Sequence, residues 1–398
     1  MPPKPHAVSI FQPLSHARFR QLWLANMLSN LGSRMQAFAA AWQIATLSHS
    51  PQLTALVQTA TWAPMLLFAL PAGALADTLH RPTLLFRSNA VMALAAVAMA
   101  LLAFGGRQPV SALLLLTFVM GAGMAFTMPA WQASMSALVP PQEIEAAATL
   151  NNMSYNLAAL AGPALGGMLF QLTGAGALYL LNALSFSALL WIYRQARTSP
   201  APRMADRHSM GSALRISWAS ARYRSLLLHA MAIFFVSAAF AALLPLLHHD
   251  AGTYGALMGA LGAGAVLAAF VLPLARRHAV KRVVLAGGLG IHGGMLMTIG
   301  LAASQPLRLV LVVIGGVAWS AIVTTLNGAA QQAFPDAVRA RTLSVHILAI
   351  AAGQTIGSAA WGLLAARCGI VPALTAAGLA TLACAGLVAC SKDFLETV

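Results

Sequence analysis

Residues 53–104 read LTALVQTATWAPMLLFALPAGALADTLHRPTLLFRSNAVMALAAVAMALLAF. Two apolar runs, 53–79 and 83–104, are separated only by His80-Arg81-Pro82. Each is long enough to cross a bilayer as a helix, which takes about 20 residues. Neither has the length or the alternation of a barrel strand, and in hydrocarbon each must satisfy its own backbone hydrogen bonds, so each is expected to be helical. Similar runs lie on both sides, near 19–44, 109–139, 146–171, 174–195, 223–247, 253–275, 281–303, 307–334, 340–366 and 370–390. The sequence therefore predicts an all-α membrane protein with twelve transmembrane helices.

Composition agrees. Of 398 residues, 59% are hydrophobic and 8% charged, against roughly 25% charged in a soluble domain. The net charge of +15 comes from 23 Lys and Arg against 8 Asp and Glu. The basic residues are scattered between apolar runs rather than gathered in a patch, which excludes a nucleic-acid partner. Three cysteines, Cys368, Cys384 and Cys390, have no metal-ligand or disulfide spacing. No metal, cofactor or obligate protein partner is expected. There is no Gly-rich phosphate loop, His-Glu-x-x-His or Gly-x-Ser-x-Gly, which argues against ATP-driven transport and a membrane enzyme. The first run contains Asn26, Asn30, Ser33 and Arg34 and reads as an uncleaved crossing rather than a signal peptide.

Lys and Arg set the expected orientation. With the N-terminus in the cytoplasm, 19 of them fall on the cytoplasmic side, from Lys4 to Lys392. Only Arg107, Arg308 and Arg367 fall outside, and Arg34 lies within the first crossing. Both termini are then cytoplasmic, in a bacterial-type inner membrane. The longest polar stretch, 194–224, divides the chain into a six-helix bundle (1–195), a basic linker (196–222) held by anionic lipid headgroups, and a second bundle (223–398). A shift of 195 residues carries Arg81 onto Arg276, Arg87 onto Arg282, Pro140 onto Pro335, Gly162 onto Gly357, Gly167 onto Gly362 and Gly174 onto Gly369. The halves read as parallel repeats, the plan of a transporter that holds its substrate between two rocking bundles.

Two motifs punctuate the first half. Gly73-Ala74-Leu75-Ala76-Asp77-Thr78-Leu79-His80-Arg81 ends the second crossing, and Gly162-Pro163-Ala164-Leu165-Gly166-Gly167 lies in the fifth. Small residues there let helices touch, and Pro163 permits a bend. With Met128-Pro129-Ala130-Trp131-Gln132-Ala133, Leu138-Val139-Pro140 and Asn156 to Pro163, the chain resembles the major facilitator superfamily over nearly its whole length. It looks most like the branch with enterobactin (siderophore) exporters and macrolide efflux proteins. The resemblance implies that Gly73, Asp77 and Arg81, with Gly162, Pro163, Gly166 and Gly167, form a conformational gate, and that the last four mark an exporter. The sequence departs from the family pattern at Thr78, at His80-Arg81-Pro82, at Ala158 and at Thr117, where many drug–proton antiporters carry Arg. Under the 195-residue shift, Leu272 stands opposite Asp77.

The resemblance also implies that crossings 1, 4, 7 and 10 line a central cavity. Asn26, Ser29, Asn30, Ser33 and Arg34 share one helical face, as do Ser320, Thr324, Asn327 and Gln331. Crossing 4 offers Thr117, Gly121, Met124, Met128 and Trp131, and crossing 7 His229, Ser237 and Phe240. Such faces suit a bulky, partly apolar solute; they equally suit helix packing, with hydroxyls bonded to their own backbone. Arg34 is read as a contact for an anionic or oxygen-rich solute, or as a side chain snorkelling to the outer headgroups. No carboxylate falls at mid-membrane, so the candidates for proton coupling are Asp77, His229, His292 and His346. The expectation is a secondary transporter that exports a siderophore-like or drug-like solute by alternating access, driven by protons. An importer of a small polar nutrient is the alternative.

Overall fold

The computed structural model describes residues 9–196, 210–247, 250–302 and 304–391. Lys4, Arg197, Arg203, Arg207, Lys392 and much of the linker lie outside the described residues, as does the side chain of Asp77. After a short turn at Gln12–Ser15 come α1 (Ala17–Ser48), α2 (Pro51–Thr78), α3 (Arg81–Phe104) and α4 (Val110–Ser136). Ile144–Ala196 is one helical stretch broken at Gly174 (φ 74°, ψ −179°), which makes α5 (144–173) and α6 (175–196). The second half holds α7 (Ala221–Leu243), α8 (Ala251–His278), α9 (Lys281–Ile299), α10 (Gln305–Gln332), α11 (Asp336–Cys368) and α12 (Ile370–Cys390). A short helix, Met210–Ala219, precedes α7. This is the twelve-helix, two-repeat all-α membrane fold that the apolar runs predict.

The repeat is real, but its register changes along the chain. Ser50 caps α2 by accepting from the Leu53 N–H, and Asp250 caps α8 by accepting from the Thr253 N–H, an offset of 200. Gly174 and Gly369 both hold left-handed φ (74° and 93°) before α6 and α12, an offset of 195. Glycine is needed there because a Cβ would clash with the following carbonyl. The difference of five is absorbed between α3, with 24 residues, and α9, with 19. The sequence match of Arg81 with Arg276 is therefore corrected: Arg81 opens α3 as Lys281 opens α9, and Asp77 corresponds to Arg277 rather than Leu272. The matches at Pro140, Gly162, Gly167 and Gly174 keep their 195-residue offset, because they follow the deletion.

The buried core has the shape of a Y. At the end of the bundle away from the chain termini, one cluster spans both halves and includes Met35, Phe38, Trp42, Phe240, Tyr254 and Trp361. Toward the terminal end it divides. Phe19, Leu85, Trp131, Leu150 and Phe186 form a core within the first half, and Tyr223, Leu226, Leu285, Leu326 and Val388 one within the second. Each lower core is pinned by an aromatic donor at the start of the half: Trp23 Nε1 donates to the Leu150 carbonyl, and the Tyr223 hydroxyl to the Thr342 carbonyl.

Candidate functional site: a cleft between the halves

The halves meet on two seams, both at the end away from the termini. On one, α5 lies against α8 through small residues: a Cβ on Gly255 would stand 2.8 Å from Gly167 Cα and 2.9 Å from the Pro163 carbonyl oxygen. On the other, α2 lies against α11, where the Thr59 and Ser358 hydroxyls are 2.8 Å apart and Gly362 leaves room for Ala55. Lipid tails are as apolar as the helices, so close backbone approach supplies the attraction at such seams. Between the seams, Tyr254 stacks on Phe38 (ring centroids 4.8 Å) and Trp42 (5.9 Å). At the rim, Gln171 Nε2 donates to Asp250 Oδ1.

The same faces separate toward the termini. One α5 stripe is sealed from Leu160 to Gly167 and then exposed at Asn156, Leu157 (53%) and Met153 (49%). The α8 stripe continues from Gly255 and Gly262 to Val266, exposed, and Phe270, 72% exposed. Along α1, the face that carries Phe38 and Trp42 passes through Leu31 to Leu28 and Leu24, both exposed. A helix face buried against its partner at one end and bare at the other describes a cleft that opens at the terminal end.

The helix 1 stripe is turned aside from this cleft, at 100° per residue. Ser33 donates to Asn182 Oδ1 on α6, and Asn182 in turn donates to Gln36 Oε1 at 2.6 Å. Ser29 is buried, and Asn26 and Asn30 are half-buried beside it. Arg34 sits at the cleft edge of the stripe. Its backbone and Cβ fill the space that Gly162 leaves, and its Cζ lies 4.5 Å from the centre of the Tyr155 ring. Tyr155 precedes Gly162 by about two helical turns, so the guanidinium extends toward the open end and not to the far headgroups. Among the described residues no carboxylate pairs with it.

On α4, the Thr117 hydroxyl donates to the Leu113 carbonyl of its own helix. Gly121 faces the Thr61 carbonyl of α2. Trp131 is buried and donates through Nε1 to Asn151 Oδ1 of α5, while Met124 is exposed and Met128 half-buried. The α10 stripe lies between α8 and α11. Thr324 donates to the Ser320 carbonyl and accepts from Arg276 Nη2 at 3.0 Å; Asn327 Oδ1 is 3.1 Å from His346 Nε2; Gln331 is exposed. Both walls of the cleft thus mix the two characters: Leu24, Leu28, Met153 and Leu157 with Arg34 and Asn156 on one, and Val266 and Phe270 with Arg276 and Thr324 on the other.

The three histidines differ in setting. His229 Nδ1 is 2.8 Å from the Ser225 carbonyl of its own helix. His292 is buried beside Trp319 and Phe240, with both ring nitrogens lacking a described partner; the buried hydroxyl of Ser237 on α7 also lacks one. His346 touches the α10 stripe through Asn327. Gly166 packs on Phe38, and Gly73 is half-buried near the end of α2. Arg81 begins α3.

Several residues of the arrangement were not among the sequence candidates. Tyr155 carries a signal, because Asn151-Asn152-Met153-Ser154-Tyr155-Asn156 is unusually polar for a crossing. Tyr254, Phe38 and Trp42 carry none, because aromatic residues in apolar runs are ordinary core. Buried Glu143 is held by Gln12 Nε2 and His16 Nε2, each at 3.0 Å, which ties the N-terminal turn to the start of α5.

Residues 8–394 match the family model described as transmembrane secretion effector, a model of the major facilitator superfamily. The chain belongs to this family. Solved structures with the same fold include a bacterial homolog of the human lysosomal transporter Spinster, inward-facing and unoccupied. It shares 16% identity, covers 94% of this chain and 95% of its own, and has a TM-score of 0.72. A POT family transporter in complex with a thioalcohol-conjugated peptide shares 14% identity over 93% of this chain and 95% of its own, with a TM-score of 0.74. At these identities the likeness speaks to fold alone. A comparison with curated proteins finds no match. This secretion-effector chain is a multi-pass membrane transporter of the major facilitator type.

Proposed function

We propose that this transporter exports a small amphipathic solute, siderophore-like or drug-like, from the cytoplasm across the inner membrane by alternating access. The observation that carries the reading is the cleft, sealed by Gly167–Gly255 and Tyr254 at one end and open at the other, with apolar and polar side chains on both walls. Such walls suit a solute with both characters. The secretion-effector description favours outward transport. The excess of Lys and Arg on the side of the termini favours cytoplasmic ends, which makes the observed state inward-open. Asp77 and Arg81 of the α2–α3 turn would act as a gate at that side, and the boundaries near 195 and 222 would separate the rocking units.

His346 is the favoured proton-coupling group. It pairs with Asn327 on the α10 stripe, so a solute or a proton arriving there changes the same hydrogen bond. The test is transport of a labelled catecholate siderophore and a labelled macrolide in everted and right-side-out vesicles, with and without a pH gradient. Accumulation in everted vesicles that collapses with the gradient supports export by proton exchange. Accumulation only in right-side-out vesicles would make the protein an importer.

A further inference from the structure

Arg34 brings a full positive charge to the middle of the cleft wall. By helical rise it lies about 25 Å along α1 from Ala17, well inside any bilayer. A charge at this depth demands water, a partner or a ligand. No described carboxylate supplies the partner, and the guanidinium instead rests on the Tyr155 ring, which is itself exposed. Gly162 holds α1 and α5 close enough for that contact and keeps the guanidinium aimed toward the cleft mouth. Arg276, at the end of α8, adds a second cation on the opposite wall, where it donates to Thr324 of the polar stripe. Of the two described acids at the entry to α5, Glu143 is engaged by Gln12 and His16, and Glu145 is exposed in the first turn, ten residues before Tyr155.

We infer that Arg34 and Tyr155 form the recognition site for an anionic, aromatic-bearing solute: the guanidinium takes a carboxylate, sulfonate or phenolate, and the exposed tyrosine ring takes the flat apolar part. This deepens the export reading by naming the substrate class of the same cleft. Arg serves here better than Lys because its planar fork pairs with an oxyanion while its face stays on the ring. A cationic solute would meet like charge from both walls.

The test is equilibrium binding by the full-length protein in nanodiscs, which does not depend on the direction of transport. The probes are 1-naphthoate, 1-naphthalenemethanol and 1-naphthylmethylammonium, three ligands of one shape and different charge. Naphthoate is expected to bind at least about tenfold tighter than the ammonium probe, and the preference should weaken with salt. Arg34→Gln should erase the preference, Arg34→Lys should retain part of it, and Tyr155→Leu should weaken all three probes while keeping their order. Absence of saturable naphthoate binding, equal binding of anion and cation, or an unchanged preference in a folded Arg34→Gln protein would each overturn the assignment. Failure in vesicles with the binding pattern intact would instead fault the direction of transport.

Discussion

Gly167 of α5 and Gly255 of α8 meet backbone to backbone across the two halves, each standing where the other's Cβ would have to be. The contact closes the cleft at the end away from the termini, so the proposed alternating-access cycle would have to break and remake it. Gly255→Leu is expected to hold that end apart, since the obstacle is backbone and not a flexible side chain. Spin-label distances between the ends of α5 and α8 away from the termini should lengthen, and transport should fall by more than about tenfold, roughly 1.4 kcal/mol on the closing step. Unchanged distances would remove this seam from the gate.

Tyr254 is sandwiched against Phe38 and Trp42 inside the same closure. Tyr254→Ala removes two ring contacts, each worth about 0.5–1.5 kcal/mol beyond area burial. The population should shift toward the state open at the opposite end. Alkylation of a cysteine introduced at Gln171 should speed up, whereas a similar rate to that of the unsubstituted tyrosine would show the stack to be passive.

His346 pairs with Asn327 across α10 and α11, whereas His229 bonds to its own helix. His346→Gln should keep solute exchange in the absence of a gradient and lose acceleration by a pH gradient. His229→Gln should leave both intact. Gradient-driven transport that survives in His346→Gln would move coupling elsewhere.

Thr117 bonds only its own helix, and Trp131 bonds Asn151 in the packed wall of the first half. Thr117→Val should change thermal stability by no more than about 0.5 kcal/mol and leave binding alone. Trp131→Phe gives up one partly buried hydrogen bond, about 1 kcal/mol, seen as a lower melting temperature. A large loss of naphthoate affinity in either variant would place these residues in the solute site.

Gly174 and Gly369 turn the chain between adjacent helices with positive φ. Gly369→Ala should cost about 1–2 kcal/mol and lower the melting temperature without changing the anion preference. No shift would mean that the turn relaxes to another conformation.

Much of this was legible in the chain itself. Apolar runs of bilayer length with turn residues between them allow one class of structure, because a backbone in hydrocarbon has to bond within its own segment. Pro140 with Pro335 and Gly174 with Gly369 mark the repeat, because turns demand particular residues wherever they recur. Sequence could not settle which face of a helix meets the cleft. Ser33 and Arg34 are neighbours on one polar stripe, yet one is taken up by Asn182 of α6 and the other is left over Tyr155. Nor could it locate the five-residue deletion that pairs Asp77 with Arg277. Length and polarity are local properties that each segment carries alone; the rotation of a helix, and the partners its side chains find, are set by contacts among residues more than a hundred positions apart, and only the packed bundle decides those.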